Sequence, residues 1–129
     1  MSIDKYKTAQ SNFEAPRQTE YRLFADVTKA LIGVKGQERH SNVFYEAIDN
    51  NRRLWLALQT DLSSEDNKLP QETRASLISL AMWVDRYSGN LMRTEGDLEP
   101  LITVNRQIME GLASSQPWLA YTPAKSAVR

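Results

Sequence analysis

Apolar residues recur at helical spacing through most of this chain, and this feature constrains the fold more than any other. The pattern is clearest over residues 44–58, where Asn51 alone interrupts one apolar face: Phe44, Ala47, Ile48, Leu54, Trp55 and Leu58. The same period of about 3.6 residues recurs in segments that begin near Pro16, Pro70 and Asp97. No segment alternates convincingly between apolar and polar residues, as a half-buried strand would. The sequence therefore predicts an all-α protein.

Turn and cap residues divide the chain into about five helices. We expect the first helix over about residues 2–13, where Tyr6 and Phe13 share one face. The second is expected over 16–34, because proline is tolerated in a first helical turn and the glycines at 33 and 36 favour an end. Its apolar residues form two adjacent rows, which is more apolar surface than packing on a single helix needs.

The other three predicted helices begin near Ser41, near Pro70 and at a cap formed by Asp97. Short loops between helices favour antiparallel neighbours around one hydrophobic core. We therefore predict a single antiparallel bundle over residues 1–113, followed by an extended, flexible C-terminal tail over 114–129.

Composition narrows the classes of function. A chain of 129 residues suits one domain, and its 16 basic and 16 acidic residues give a formal net charge of zero. A neutral chain lacks the overall positive charge typical of proteins that bind nucleic acids or anionic membranes. Without cysteine it has no disulfide, thiolate nucleophile or cysteine-type zinc site. Since no signal peptide or membrane span is evident, we expect a cytoplasmic protein that does not act on membranes.

Candidate catalytic groups are sparse. The single histidine, His40, lies in a predicted loop outside any apolar face, and we interpret it as solvated because a general base needs a second group to orient it. The acidic pair at 65–66 lacks the alternating oxygen ligands and the glycine of a calcium loop. Residues 33–36 are too short for a phosphate-binding loop and follow a helix. We predict no enzymatic activity, metal or cofactor.

Several residues are candidates for contact with a protein partner. Trp83 lies beside the main apolar row of its helix with Arg86 close by, and tryptophan and arginine dominate binding hot spots. Met109 lies beside an apolar face, where a flexible thioether suits an adaptable surface. By contrast, Trp55 lies within an apolar row and is predicted to be core.

Two asparagines allow two interpretations. Asn51 and Asn105 each lie within an apolar row, and each is followed by an arginine, Arg52 or Arg106. A buried amide network that sets helix register is the interpretation we favour, and hydrogen bonds to the backbone of a partner are the alternative. The candidate partner-binding residues are Arg52, Arg53, Trp83, Arg86, Asn105, Arg106 and Met109. For the first two, an ion pair with Asp49 is the default interpretation.

An ordered series of short motifs runs through the predicted helices. It comprises Pro16-Arg17, Glu20-Tyr21-Arg22-Leu23-Phe24, Asn51-Arg52-Arg53-Leu54-Trp55, Leu69-Pro70, Leu77-Ile78-Ser79-Leu80-Ala81, Trp83-Val84, Pro100-Leu101-Ile102, Asn105-Arg106 and Gly111-Leu112. No single motif is specific, but in order and spacing the set resembles the FlaF family of flagellar biosynthesis regulators. The resemblance covers about residues 6–113 and leaves 114–129 outside.

The resemblance implies a small cytoplasmic protein that binds flagellin, acts on its synthesis and secretion, and opposes a second regulator, FlbT. Our first hypothesis is a chaperone whose groove holds an amphipathic flagellin helix. The alternative is a post-transcriptional regulator acting on flagellin mRNA directly or through FlbT, although zero net charge makes direct RNA binding the weaker route. A structural part of the flagellum ranks last. We also consider that Trp118 and Tyr121 of the tail cover the groove until flagellin displaces them. The competing interpretation is that the tail is simply a disordered chain end.

Overall fold

The computed structural model describes residues 16–37 and 40–113, which contain four helices and no strand. The helices are α1 (Pro16–Val34), α2 (Asn42–Leu62), α3 (Gln71–Leu91) and α4 (Glu99–Ala113). The all-α prediction is confirmed. The described part has four helices instead of about five, since the first predicted helix, over 2–13, lies outside it, as does the tail from residue 114.

Local signals in the sequence account for the helix ends. The hydroxyl Oγ of Ser41 accepts a hydrogen bond from the backbone N–H of Phe44 at 3.2 Å, which makes Ser41 the N-cap of α2 as predicted. The carboxylate of Asp97 accepts from the backbone N–H of Glu99 at 2.9 Å, at the start of α4. Both bonds satisfy N–H groups that have no partner within their helix.

Contacts between side chains show that the helices run antiparallel. Near the end of α1, Lys35 pairs with Glu99 at the start of α4, whereas Thr28, two turns earlier in α1, contacts Met109 near the end of α4. Helix α1 also packs against α2.

Helix α2 packs antiparallel against α3. Arg52 in the middle of α2 pairs with Asp85 late in α3, whereas Arg74 early in α3 donates to the backbone oxygen of Ser64 just after α2. The predicted bundle is therefore present, with α4 packed on α1, α1 on α2 and α2 on α3.

One hydrophobic core is shared by all four helices. Its largest fully buried side chains include Phe24, Leu31, Phe44, Ile48, Trp55, Leu77, Leu80, Leu101 and Ile108. The core prediction for Trp55 is confirmed, and its ring packs edge-to-face on Phe24 with centroids 5.4 Å apart. The second apolar row of α1 is not buried along its whole length, because Leu23 and Val27 are only partly buried and Ala30 is exposed.

The two asparagines form a buried chain of hydrogen bonds, which confirms the favoured interpretation. Asn51 on α2 and Asn105 on α4 are both 0% exposed. The amide Nδ2 of Asn105 donates to Oδ1 of Asn51 at 2.7 Å, and the indole Nε1 of Trp55 donates to Oδ1 of Asn105 at 2.8 Å. Since each bond requires one relative position of α2 and α4, the chain specifies how the two helices meet.

None of the helices in the described ranges is long and apolar enough to cross a membrane.

Candidate partner-binding surface

Trp83 is a partly buried residue at one edge of α3. Its ring stacks on that of Tyr87 one turn later, with centroids 4.9 Å apart and an interplanar angle of 18°. Both rings pack against the core, and the hydroxyl of Tyr87 donates to the backbone oxygen of Asp97 at 2.6 Å. Trp83 is therefore held in place and presents only part of its ring to solvent.

The adjacent arginines of α2 have different partners. Arg53 pairs with Asp49 one turn earlier on the same helix, with Nε and Oδ2 2.8 Å apart, as the default interpretation of the sequence predicted. Arg52 instead reaches across to Asp85 on α3, with Nε and Oδ1 2.5 Å apart. The hydrogen bond and the charge of Asp85 together raise the pKa of Arg52 above its ordinary value. The pair is about half exposed, so solvent screening keeps its contribution to stability small.

Two exposed apolar side chains, one on α2 and one on α3, lie next to this ion pair. Leu56 on α2 is 56% exposed and Met82 on α3 is 47% exposed. Leu56 follows Arg52 by one turn, and Met82 precedes Asp85 by about one turn. Because α2 and α3 run antiparallel, both residues come level on the same side of the pair. Together they make an apolar patch that spans two helices.

A third arginine borders this patch. Arg86 lies one turn after Met82 on α3 and is exposed. No hydrogen-bond or ion-pair partner for it exists among residues 16–37 and 40–113. We call the surface formed by Arg52, Leu56, Met82, Asp85 and Arg86 the α2–α3 face. Trp83 follows Met82 in α3, but a step of one residue turns it about 100° around the helix, to the side where it stacks on Tyr87.

The three candidates on α4 are placed differently. Asn105 is completely buried, which leaves it no surface for a partner in this conformation. Arg106 is exposed. Met109 is partly buried, and its sulfur lies 3.9 Å from the hydroxyl of Thr28 on α1. The candidates thus form two groups, with Arg52, Arg53, Trp83 and Arg86 on α2 and α3, and the rest on α4.

The sequence reasoning missed Leu56 and Asp85 as parts of a surface. A usable signal for Leu56 was the run of five apolar residues at 54–58, because an amphipathic helix cannot bury five consecutive side chains. For Asp85 the local sequence carries no signal, since its partner Arg52 is 33 positions away.

Elsewhere the described residues assemble no obvious chemistry. His40 lies in a loop and is partly exposed, as predicted, but its Nδ1 is hydrogen-bonded with the hydroxyl of Tyr45 at 2.7 Å, and Glu95 lies 3.6 Å from its Nε2. Over the described ranges no group of three or more histidines or carboxylates could hold a metal ion. A cavity of about 170 Å³ opens beside the end of α2 and is lined by Glu20, Leu58, Asp61, Leu62, Asn67, Lys68 and Leu69.

Comparison with known families decides the class of protein. The family model described as "Flagellar protein FlaF" matches residues 2–112. This chain belongs to the FlaF family. The FlaF match spans the whole of α1, α2 and α3 and ends within the last turn of α4. Comparisons with curated proteins and with solved structures give no match. Family membership makes this a flagellar protein.

Proposed function

We propose that this FlaF protein binds flagellin as a cytoplasmic chaperone, promotes its synthesis and secretion, and opposes FlbT. Family membership supports the flagellar context. The observation that carries the binding role is the α2–α3 face, where Leu56 and Met82 form an exposed apolar patch bordered by arginine. Amphipathic helices bind such surfaces through apolar residues spaced three or four positions apart.

The size of the patch sets how much of the surface a partner must cover. Fully burying a leucine or methionine side chain contributes about 1.5–3 kcal/mol. Since Leu56 and Met82 are each only about half exposed, covering both contributes roughly 1.5–3 kcal/mol. A dissociation constant of 1 μM requires about 8 kcal/mol. A partner helix therefore has to contact neighbouring groups as well, and Arg86, one turn from Met82 on the same side of α3, is one of them.

A chaperone of this kind acts by covering apolar surface. Flagellin ends that form amphipathic helices are prone to aggregation before export, and an occupied α2–α3 face would shield one such helix. Regulation of synthesis then follows by competition. When flagellin occupies the FlaF protein, less free FlaF protein is left to act against FlbT. The amount of unexported flagellin thereby sets the rate of further flagellin synthesis.

Isothermal titration of the purified protein with purified monomeric flagellin tests the proposal at low and at high salt. We expect a complex of about 1:1 that tolerates salt, because salt screens the charged contact at Arg86 but leaves the apolar contacts with Leu56 and Met82 in place. Two variants, Trp83→Ala and Arg86→Ala, should weaken it, since truncation of a binding hot spot typically costs about 2 kcal/mol or more. Absence of heat and of co-elution would refute flagellin binding. The same titration against FlbT and flagellin mRNA then identifies the partner, and RNA binding would fall steeply with salt.

A further inference from the structure

We infer that the segment bound on the α2–α3 face is a flagellin helix that carries a carboxylate next to its apolar stripe, and that this carboxylate pairs with Arg86. The inference rests on the proposed function for the identity of the partner. The position of the site and the charge of the bound helix come from the contacts of the α2–α3 face itself.

The Arg52–Asp85 ion pair determines how a helix can approach this face. It bridges α2 and α3 at the surface, with Nε and Oδ1 2.5 Å apart. A bound helix must therefore lie over the pair, because the space between α2 and α3 is already occupied. Arg52 and Asp85 also satisfy each other, so the middle of the surface needs no charged group from a partner.

Arg86, by contrast, needs a charged group from the partner. It lies four residues after Met82, which places it one turn further along the same side of α3. A helix that covers Met82 also removes water from around Arg86. An arginine that loses its water without gaining a partner is costly, whereas a carboxylate can bond its guanidinium through two parallel hydrogen bonds. Covering the patch favourably thus calls for an acidic residue at this point.

The distance between Met82 and Arg86 along α3 predicts the spacing of the contact residues on the bound helix. One turn separates Met82 from Arg86, a rise of about 6 Å along α3. A helix running along α3 in either direction must place its carboxylate three or four residues from the apolar residue that covers Met82. A second apolar residue on the same stripe covers Leu56.

Substitutions within the face, compared with the same change on another helix, test the site. Leu56→Asp and Met82→Asp place a charge in the apolar patch, and we expect each to weaken flagellin binding at least tenfold in the titration. Ile32→Asp is the matched control, because Ile32 is 44% exposed on α1 and receives the same substitution. It should change the affinity less than twofold. Unchanged circular dichroism and urea midpoints establish that each variant is folded.

The charge of the bound helix has its own test. Arg86→Glu should weaken flagellin binding at least tenfold. Arg86→Lys keeps the positive charge but cannot form the bidentate hydrogen bond, so it should weaken binding less. If Arg86→Glu binds as well as the wild type, the carboxylate is refuted while the apolar site stands. If Leu56→Asp and Met82→Asp bind flagellin like the wild type, the site is refuted while the chaperone proposal stands. If the wild type itself does not bind flagellin, both fail.

Discussion

Replacing Asn105 with alanine should destabilise the bundle by several kcal/mol. Asn105 is the middle member of the buried chain of hydrogen bonds, accepting from Trp55 and donating to Asn51. Truncation leaves the indole N–H and the Asn51 oxygen buried without partners, and each unpaired buried group costs about 1–3 kcal/mol. The small cavity left by the amide adds to this. We expect a loss of about 3–5 kcal/mol, against a typical total stability of about 5–15 kcal/mol.

Two variants on α2, Asn51→Ala and Asn50→Ala, serve as comparisons for Asn105→Ala. Asn51→Ala leaves one buried group, the Asn105 Nδ2, without its acceptor, but it also removes an Nδ2 that is itself buried without a partner in the described structure. Its cost should be about 1–2 kcal/mol, less than half that of Asn105→Ala. Asn50 is exposed beside Asn51, so Asn50→Ala controls for the change of residue type. It should shift the stability by no more than about 0.5 kcal/mol.

Urea unfolding followed by the circular dichroism of the helices measures the stability of all three variants. With a slope of about 1–2 kcal/mol per molar urea, Asn105→Ala should lower the midpoint by about 2 M or more. The order of costs is the decisive result. If Asn105→Ala costs no more than Asn51→Ala, or no more than about 1 kcal/mol, Asn105 does not hold both bonds and the reasoning is refuted.

Three further substitutions each remove a single interaction or a single buried side chain, and each has an expected effect on the free energy of unfolding. Ser41→Ala removes the N-cap hydrogen bond to Phe44 and should lower the free energy of unfolding by about 1 kcal/mol; in the same urea assay Ser41→Asp, which can still cap, should retain it. Leu31→Ala opens a cavity at a completely buried position and should cost about 2–5 kcal/mol, and a loss below about 1 kcal/mol would contradict its burial. Arg52→Ala breaks the exposed pair with Asp85 and should cost at most about 1 kcal/mol, with a difference from wild type that shrinks as salt is added; a difference unaffected by salt would argue against an ionic contribution.

Much of the fold could be predicted because its signals are local. A helix satisfies its backbone hydrogen bonds within itself, so apolar spacing and end residues suffice to place it. The second predicted helix, over 16–34, coincides with α1, and Ser41 caps α2 as expected. The burial of Trp55 also followed from its position in an apolar row. The same spacing showed that Asn51 and Asn105 face the core.

The partners of these side chains could not be read in the same way. Spacing tells which side of a helix a residue occupies, but it does not tell which helix lies opposite or at what level. Arg52 could have paired with Asp49 by local geometry, yet the packing of α2 on α3 brings Asp85 to it. Trp83 presented the same difficulty, since a residue beside an apolar row is buried or exposed according to its neighbours, and the stack with Tyr87 covers part of it.

The sequence by itself thus determined the helices, their caps and the residues that face the core, because each depends on interactions within a few positions. Only the tertiary structure decided that Leu56 and Met82 come level beside one ion pair, and that Arg86 borders them without a partner in the described ranges. These features join residues about 30 positions apart along the chain. Their proximity depends on the antiparallel packing of α2 and α3, which no local pattern specifies.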